Sequence, residues 1–305
     1  MNKLCSISID VDTVDCYLET FGLKKENSNV IYEKIIPRFL SIFDKHGIKA
    51  TFFVVGRDVG KNADILSKLS KKGHEIANHT MNHIHHLNHL PYDKKLKEVK
   101  EAHEVLETVS ENEVVGFRAP GYNIDSQVIE ILDGLDYTYD SSIHPTFFSP
   151  LIKFYVSFLA RGKQKSRGMG DIKHAFAPTK PYYPSENFIW KKGDRKILEI
   201  PISTVPPIRL PFFGSVYFGT GKHVFDLSYL MVKNFSDILT YELHAIELSD
   251  YVKDGINPNL RRNPGMNLTL EQKLSLYDHL FSKIKKSYKV VPEREVANFI
   301  MKNRV

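Results

Sequence analysis

Apolar positions follow two spacings in this chain: short continuous runs, and longer stretches in which they recur every three or four residues. Residues 4–10 form an apolar run of strand length, followed by a polar loop over 11–29. Over 30–45, Ile31, Ile35, Phe39 and Phe43 recur at helical spacing, with Gly47 just beyond as a stop; Pro37 inside the pattern predicts a break or kink. Residues 50–56 read as a buried strand. Residues 62–73 read as a helix opened by Asn62 and ended by Gly73, with Ile65, Leu66 and Leu69 on one face. A short strand over 75–78, a charged helix over 93–109 and a strand over 114–118 follow. Next come a helix over 125–134 opened by Asp125 and a strand over 137–141. The alternation breaks over 143–195, a stretch rich in proline and glycine. It resumes with a strand over 197–205, a helix over 223–235, a strand over 238–245, a helix over 269–284 and a short closing strand and helix.

Strands separated by helices of ten or more residues predict parallel pairing with helical crossovers, as in a barrel or a doubly wound sheet. The polar residues fit for chemistry fall at the C-terminal ends of the predicted strands: Asp10 and Asp12, His79 and His83, Arg118, Asp140. Parallel α/β folds build their sites on that edge.

Composition narrows the class. A chain of 305 residues holds one large α/β domain or two modest ones, and 42% hydrophobic residues supply a full core. Cys5 and Cys16 are too few for a disulfide framework. The N-terminus lacks the apolar core and small-residue cleavage site of a signal peptide, and no apolar run reaches the ~18 residues of a spanning helix. These features predict a cytoplasmic protein. The net charge of +6 is modest, and no helix-turn-helix, zinc-finger or RNA-reader signature accompanies it, so nucleic acid is not the expected partner. An anionic membrane surface or a phosphate-bearing substrate accounts for the same charge.

The most informative stretch is Gly73-His74-Glu75-Ile76-Ala77-Asn78-His79-Thr80-Met81-Asn82-His83. Neutral imidazole is the commonest ligand of catalytic divalent metals, and a pair of imidazoles needs a third ligand, usually a carboxylate, plus an open position. Asp10 and Asp12 are the candidates. By spacing alone the pair is ambiguous, since a histidine pair in a chain with 13 histidines is more often surface or packing than metal site.

The motifs together resemble those of the polysaccharide deacetylase family, carbohydrate esterases with a metal-dependent Asp-Asp-His-His site. The resemblance spans roughly residues 4–142 and 195–250. Ser8-Ile9-Asp10-Val11-Asp12 is similar to the first motif, in the Asp-X-Asp form of the intracellular branch, and residues 73–83 are similar to the second over their whole length. Arg118-Ala119-Pro120-Gly121-Tyr122 resembles the third, with Gly121 inserted between the usual Pro and Tyr. Residues 137–142 and 199–204 resemble stretches of the branch that includes exopolysaccharide-associated deacetylases. Leu243-His244-Ala245-Ile246-Glu247 stands where that branch has His-Pro-Trp-Glu, with Ala245 and Ile246 in place of Pro-Trp.

The resemblance implies a distorted (β/α) barrel of about seven strands, a single catalytic domain over 1–305 with an insertion at about 143–195. It implies one divalent metal, zinc before cobalt, nickel or manganese, held by Asp12, His79 and His83. Asp10 would be the general base, paired with Arg118. His244 would be the general acid, and the N–H of Tyr122 or Gly121 the oxyanion donor. Leu243 would line the acetyl pocket, and Asp140 would orient His244 or touch substrate. His74, His85 and His86 are not expected as ligands. The implied reaction is removal of an N-acetyl group from an amino sugar, with deformylase, cyclic-amide hydrolase or a non-catalytic carbohydrate- or lipid-binding module as alternatives. The apolar run over 147–161, with Arg161, Lys163, Lys165 and Arg167 at its end, reads either as a core-packing helix with a solvated basic tail or as a segment for a bilayer surface, in which case Pro206 to Phe213 extends the same patch. A lipid-linked substrate, such as an N-acetylhexosamine on a polyprenyl phosphate, fits that segment and a place on the inner face of the cytoplasmic membrane. The sequence leaves the oligomeric state open.

Overall fold

A computed structural model of the chain describes residues 3–151, 154 and 170–303. In chain order the first elements are β1 (Leu4–Val11), α1 (Val14–Thr20), α2 (Ile36–His46), β2 (Thr51–Val54), α3 (Val59–Lys71), β3 (Glu75–Asn78), α4 (Tyr92–Glu107), β4 (Gly116–Phe117), α5 (Ser126–Gly134) and β5 (Tyr139–Asp140). After the insertion come β6 (Leu198–Glu199), β7 (Thr204–Val205), β8 (Leu210–Pro211), α6 (Gly214–Thr220), α7 (Lys222–Phe235), β9 (Ile238–His244), α8 (Leu270–Lys285), β10 (Lys289–Val290) and α9 (Glu293–Lys302).

Seven parallel strands curl into a distorted barrel in the order β9-β1-β2-β3-β4-β5-β6. The remaining gap is bridged where Ser203 N donates to Thr240 O (3.2 Å) and Thr240 N to Ser203 Oγ (2.9 Å). β10 shares an edge of β1 with β2, pairing at Leu4 and Cys5 where β2 pairs further along at Ser8–Val11. Every strand of the barrel runs the same way, so all their C-terminal ends open on one side.

β1 is buried along its whole length, and its alternation sorts two environments. Cys5, Ile7, Ile9 and Val11 face the helices and join the main core with Phe39, Phe43, Phe52 and Leu66. Leu4, with Phe53, Ala77, Tyr139 and Leu198, belongs to a smaller cluster inside the barrel. Ser8 and Asp10 share the Leu4 side and reach polar partners there.

Several boundaries differ from the sequence pattern. The polar loop over 11–29 contains α1, whose Val14, Cys16 and Leu18 are buried. The helix expected over 30–45 is a π-helical turn, Ile31–Ile35, running into α2, and Pro37 is the second residue of α2, just past that turn. Asn62 is not a cap: it lies inside α3, and its Nδ2 donates back to Asp58 O (2.8 Å). The expected strand over 197–205 divides into β6 and β7, and β7 turns back on β8 as an antiparallel pair. Asp125 caps α5 as expected, accepting from Val128 N (3.1 Å). Of the apolar-basic segment over 147–167, residues 152, 153 and 155–167 lie outside the described residues. No helix among the described residues is long and apolar enough to cross a membrane.

Candidate active site

Asp10 ends the inward row of β1, and Asp12 follows two residues on, so the pleat points both carboxylates to one side. The register sets Asp10 beside Phe53 of β2 and His244 of β9. His79 is the first residue past β3, fixed by its N–H to Val54 O (3.1 Å). His83 returns over it through a strained turn. Thr80 and His83 both have positive φ (64° and 57°), held because Thr80 N donates to Asn78 Oδ1 (2.8 Å) and His83 N to Thr80 Oγ1 (3.0 Å). The two imidazole rings end 5.0 Å apart, centre to centre.

Asp12, His79 and His83 present one ligand atom each within 4.8 Å of one another. Asp12 Oδ1 is 2.9 Å from His83 Nε2 and 3.5 Å from His79 Nε2, separations suited to three ligands on one ion. That carboxylate oxygen is buried without a hydrogen-bond donor. His79 Nδ1 lies 2.7 Å from Arg118 O, an outer contact that places the proton on Nδ1 and turns the Nε2 lone pair inward. Two nitrogens and one oxygen suit zinc and its first-row neighbours, so the residues fit a divalent metal.

Arg118 is fully buried and holds Asp10 in place. It donates to Asp10 Oδ1 (2.6 Å), Ser8 Oγ (3.0 Å), Ser141 O (2.9 Å) and Ser141 Oγ (3.0 Å), and its guanidinium lies 4.0 Å from the ring centre of Phe53. Burial pushes the Asp10 carboxyl up, but Arg118, His79 and His244 outweigh it and hold the pKa below the ordinary value.

His244 ends β9 with its ring between two carboxylates, Nε2 3.9 Å from Glu242 Oε1 and Nδ1 3.8 Å from Glu247 Oε1. Burial works against its imidazolium, yet Glu247, Glu242 and Asp10 push the pKa up to about 10. Glu242 also accepts from the Tyr122 hydroxyl (2.5 Å). The motifs gave no hint of Glu242, but alternation does: it stands two residues before His244 on one strand and faces the same way.

These groups line a cavity of about 460 Å³ that contains Asp10, Asp12, His79, His83, His244, Gly121 and Tyr122. Three expected residues are placed differently. Leu243 is a neighbour of His244 on the strand, so its side chain points to the opposite face, into the main core, and cannot line an acetyl pocket there. Asp140 is fully buried away from the cavity, close to Glu199, and accepts from Ser142 Oγ (2.5 Å); burial raises its pKa. The Tyr122 N–H donates to Ala119 O (3.0 Å), which takes it out of the oxyanion role. His85 lines the cavity but meets Thr20 Oγ1 (2.7 Å), and His74 Nδ1 accepts from Ala50 N (3.1 Å).

Comparison with known proteins fits this geometry. The family model for polysaccharide deacetylase matches residues 28–139, the stretch that carries the two histidines and Arg118. Over that stretch the chain is similar to the polysaccharide deacetylase family. Its curated relatives include a peptidoglycan-N-acetylglucosamine deacetylase of Bacillus cereus, 41% identical over 49 residues, covering 16% of this chain and 23% of the relative. A chitooligosaccharide deacetylase of Bradyrhizobium is 40% identical over 47 residues, covering 15% of this chain and 22% of the relative. The matched stretches thus span less than a quarter of either relative. A solved structure from Mycobacterium smegmatis, assigned to the polysaccharide deacetylases, superposes with a TM-score of 0.61 at 17% identity, covering 99% of this chain and 91% of the other. A carbohydrate esterase family 4 pseudoenzyme of Bacillus anthracis also shares the fold, with a TM-score of 0.50 at 14% identity, covering 97% of this chain and 66% of the other. The fold is shared with a pseudoenzyme, and activity has to be argued from the site.

Proposed function

We propose that this protein is a metal-dependent hydrolase that removes an N-acetyl group from an amino sugar. The observation that carries this reading is the gathering, in one cavity, of a three-residue cluster fit for a metal, an Arg118-paired carboxylate and a histidine set between two carboxylates. A binding module needs neither the paired carboxylate nor the carboxylate-flanked imidazole. The names of the curated deacetylases supply the substrate class.

Asp12, His79 and His83 would hold the ion, which when bound activates water and polarises the amide carbonyl. Asp10, kept ionised and fixed in one rotamer by Arg118, takes the proton from the attacking water. With the Tyr122 N–H occupied, the Gly121 N–H is the backbone donor for the oxyanion; its positive φ (59°) belongs to the tight turn that presents it. His244 gives its proton to the departing nitrogen, so one proton is taken and one returned as the amide becomes an amine and acetate.

The finer reading is a lipid-linked N-acetylhexosamine, such as one carried on a polyprenyl phosphate in envelope glycan synthesis, handled at the inner face of the cytoplasmic membrane. Phe147, Ile172, Phe176 and Ile208 support it as large exposed apolar side chains. Phe147 and Phe176 are 5.9 Å apart, ring centre to ring centre, with the Arg209 guanidinium 5.1 Å from the Phe147 ring. Acetate release from free and lipid-linked N-acetylhexosamines, with N-formyl analogues beside them, tests the activity, and Asp10→Asn and His79→Ala serve as controls. Flotation with anionic liposomes tests the membrane contact; protein that stays in the soluble fraction rejects it.

A further inference from the structure

Beside the catalytic groups, much of the cavity wall is apolar. Tyr17 and Phe21 come from α1 and its end, Phe213 and Val216 from the start of α6, Ile246 from the turn after β9, and Met266 from the segment before α8. The hydroxyls interspersed with them are engaged: Thr20 Oγ1 with Cys16 O (2.8 Å) and His85 Nε2 (2.7 Å), and Ser215 Oγ with Glu247 Oε1 (2.6 Å). Among the described residues that line the cavity there is no lysine or arginine. The polar groups left for a sugar are the buried Tyr17 hydroxyl, which has no partner among the described residues, and the Asn263 carboxamide.

Sugars and phosphates are recognised by convergent polar and charged groups, which this wall lacks; an apolar wall of several converging side chains recognises hydrocarbon. The wall is continuous with the metal cluster, so what fills it is part of the substrate. We propose that it is a hydrocarbon subsite, and that the substrate is an N-acylated amino sugar bearing an apolar chain within reach of the scissile amide. This rests on the deacetylase reading and goes beyond it. Among the described residues the apolar wall offers a carrier phosphate no lysine or arginine, so the chain that fills it is a separate group: the N-acyl group itself, or a substituent on the sugar.

Two substrate series distinguish these sources. One is glucosamine carrying N-acetyl, N-butyryl or N-hexanoyl groups; the other is N-acetylglucosamine with methyl or octyl aglycones. Burying a methylene is worth about fourfold in affinity, so kcat/KM rises at least about tenfold along one series, through KM. In Gly219→Phe the gain disappears. Gly219 lines the cavity, and a Cβ there meets Pro264 Cβ at 3.8 Å, an ordinary contact, so a phenylalanine is placed to fill the space. Flat series with measurable release of the acyl group as its carboxylate overturn the subsite and leave the deacetylase reading standing. If no member is hydrolysed, the deacetylase reading fails, and calorimetric binding of the octyl and methyl glycosides decides the subsite: equal affinities overturn it.

Discussion

Two sets of residues at the cavity have different origins. The reactive set is made at strand ends: Asp10 and Asp12 at β1, His79 and His83 at β3, Arg118 at β4, His244 at β9. The apolar set comes from connections, α1, α6 and the segment before α8. Strand register fixes the first set, and a one-residue slip would turn Asp10 and His244 out of the barrel. Side chains on connections answer to no register, so the second set is free to follow the substrate. The fold prescribes where the chemistry sits, and the loops set what is brought to it.

The largest effect is expected in the reactive set. Asp10→Asn lowers kcat by about 10³, within the range for loss of a general base, while metal content by mass spectrometry stays unchanged. Loss of bound metal in that variant would instead make Asp10 a ligand. Arg118→Met leaves the Asp10 carboxylate buried without its partner and destabilises the fold by about 3–5 kcal/mol in urea unfolding; a shift under about 1 kcal/mol would reduce the ion pair to an ornament.

Leu243→Ala separates neighbours on one strand. Its side chain fills core, so the variant loses about 2–5 kcal/mol of stability while KM for an acetylated sugar is unchanged. A raised KM at unchanged stability would return Leu243 to the substrate pocket.

The smallest effect is in pH dependence. His244 must be protonated to act as an acid, so activity falls as pH rises through its pKa, which its neighbours lift to about 10. In Glu242→Gln one lifting charge is gone, and the alkaline limb moves down while the acid limb does not follow. An unmoved alkaline limb would mean that Glu242 serves only Tyr122.

The sequence was legible where chemistry and periodicity coincide. The residues 73–83 motif, the Asp10–Asp12 pair and Arg118 are short polar signatures at the ends of apolar runs, and the structure gathers them with His244. It was least legible in α1 and α6. Both helices are only seven residues long, too short for the helical period to stand out. Leu243 and Tyr122 show a second limit: a motif places a residue near a site, but the pleat and local hydrogen bonds decide which of its groups faces inward. Glu242 was readable in principle from the spacing it shares with His244.

The central claim is that Asp12, His79 and His83 make the amide-cleaving site a metal site. Acetate release from an N-acetylated amino sugar, measured on the same preparation before chelation, after it, and after zinc is added back, tests this most directly. The account predicts activity that is lost on chelation and restored by zinc in the unaltered protein, with no restoration in His79→Ala. Full acetate release by metal-depleted protein would contradict it.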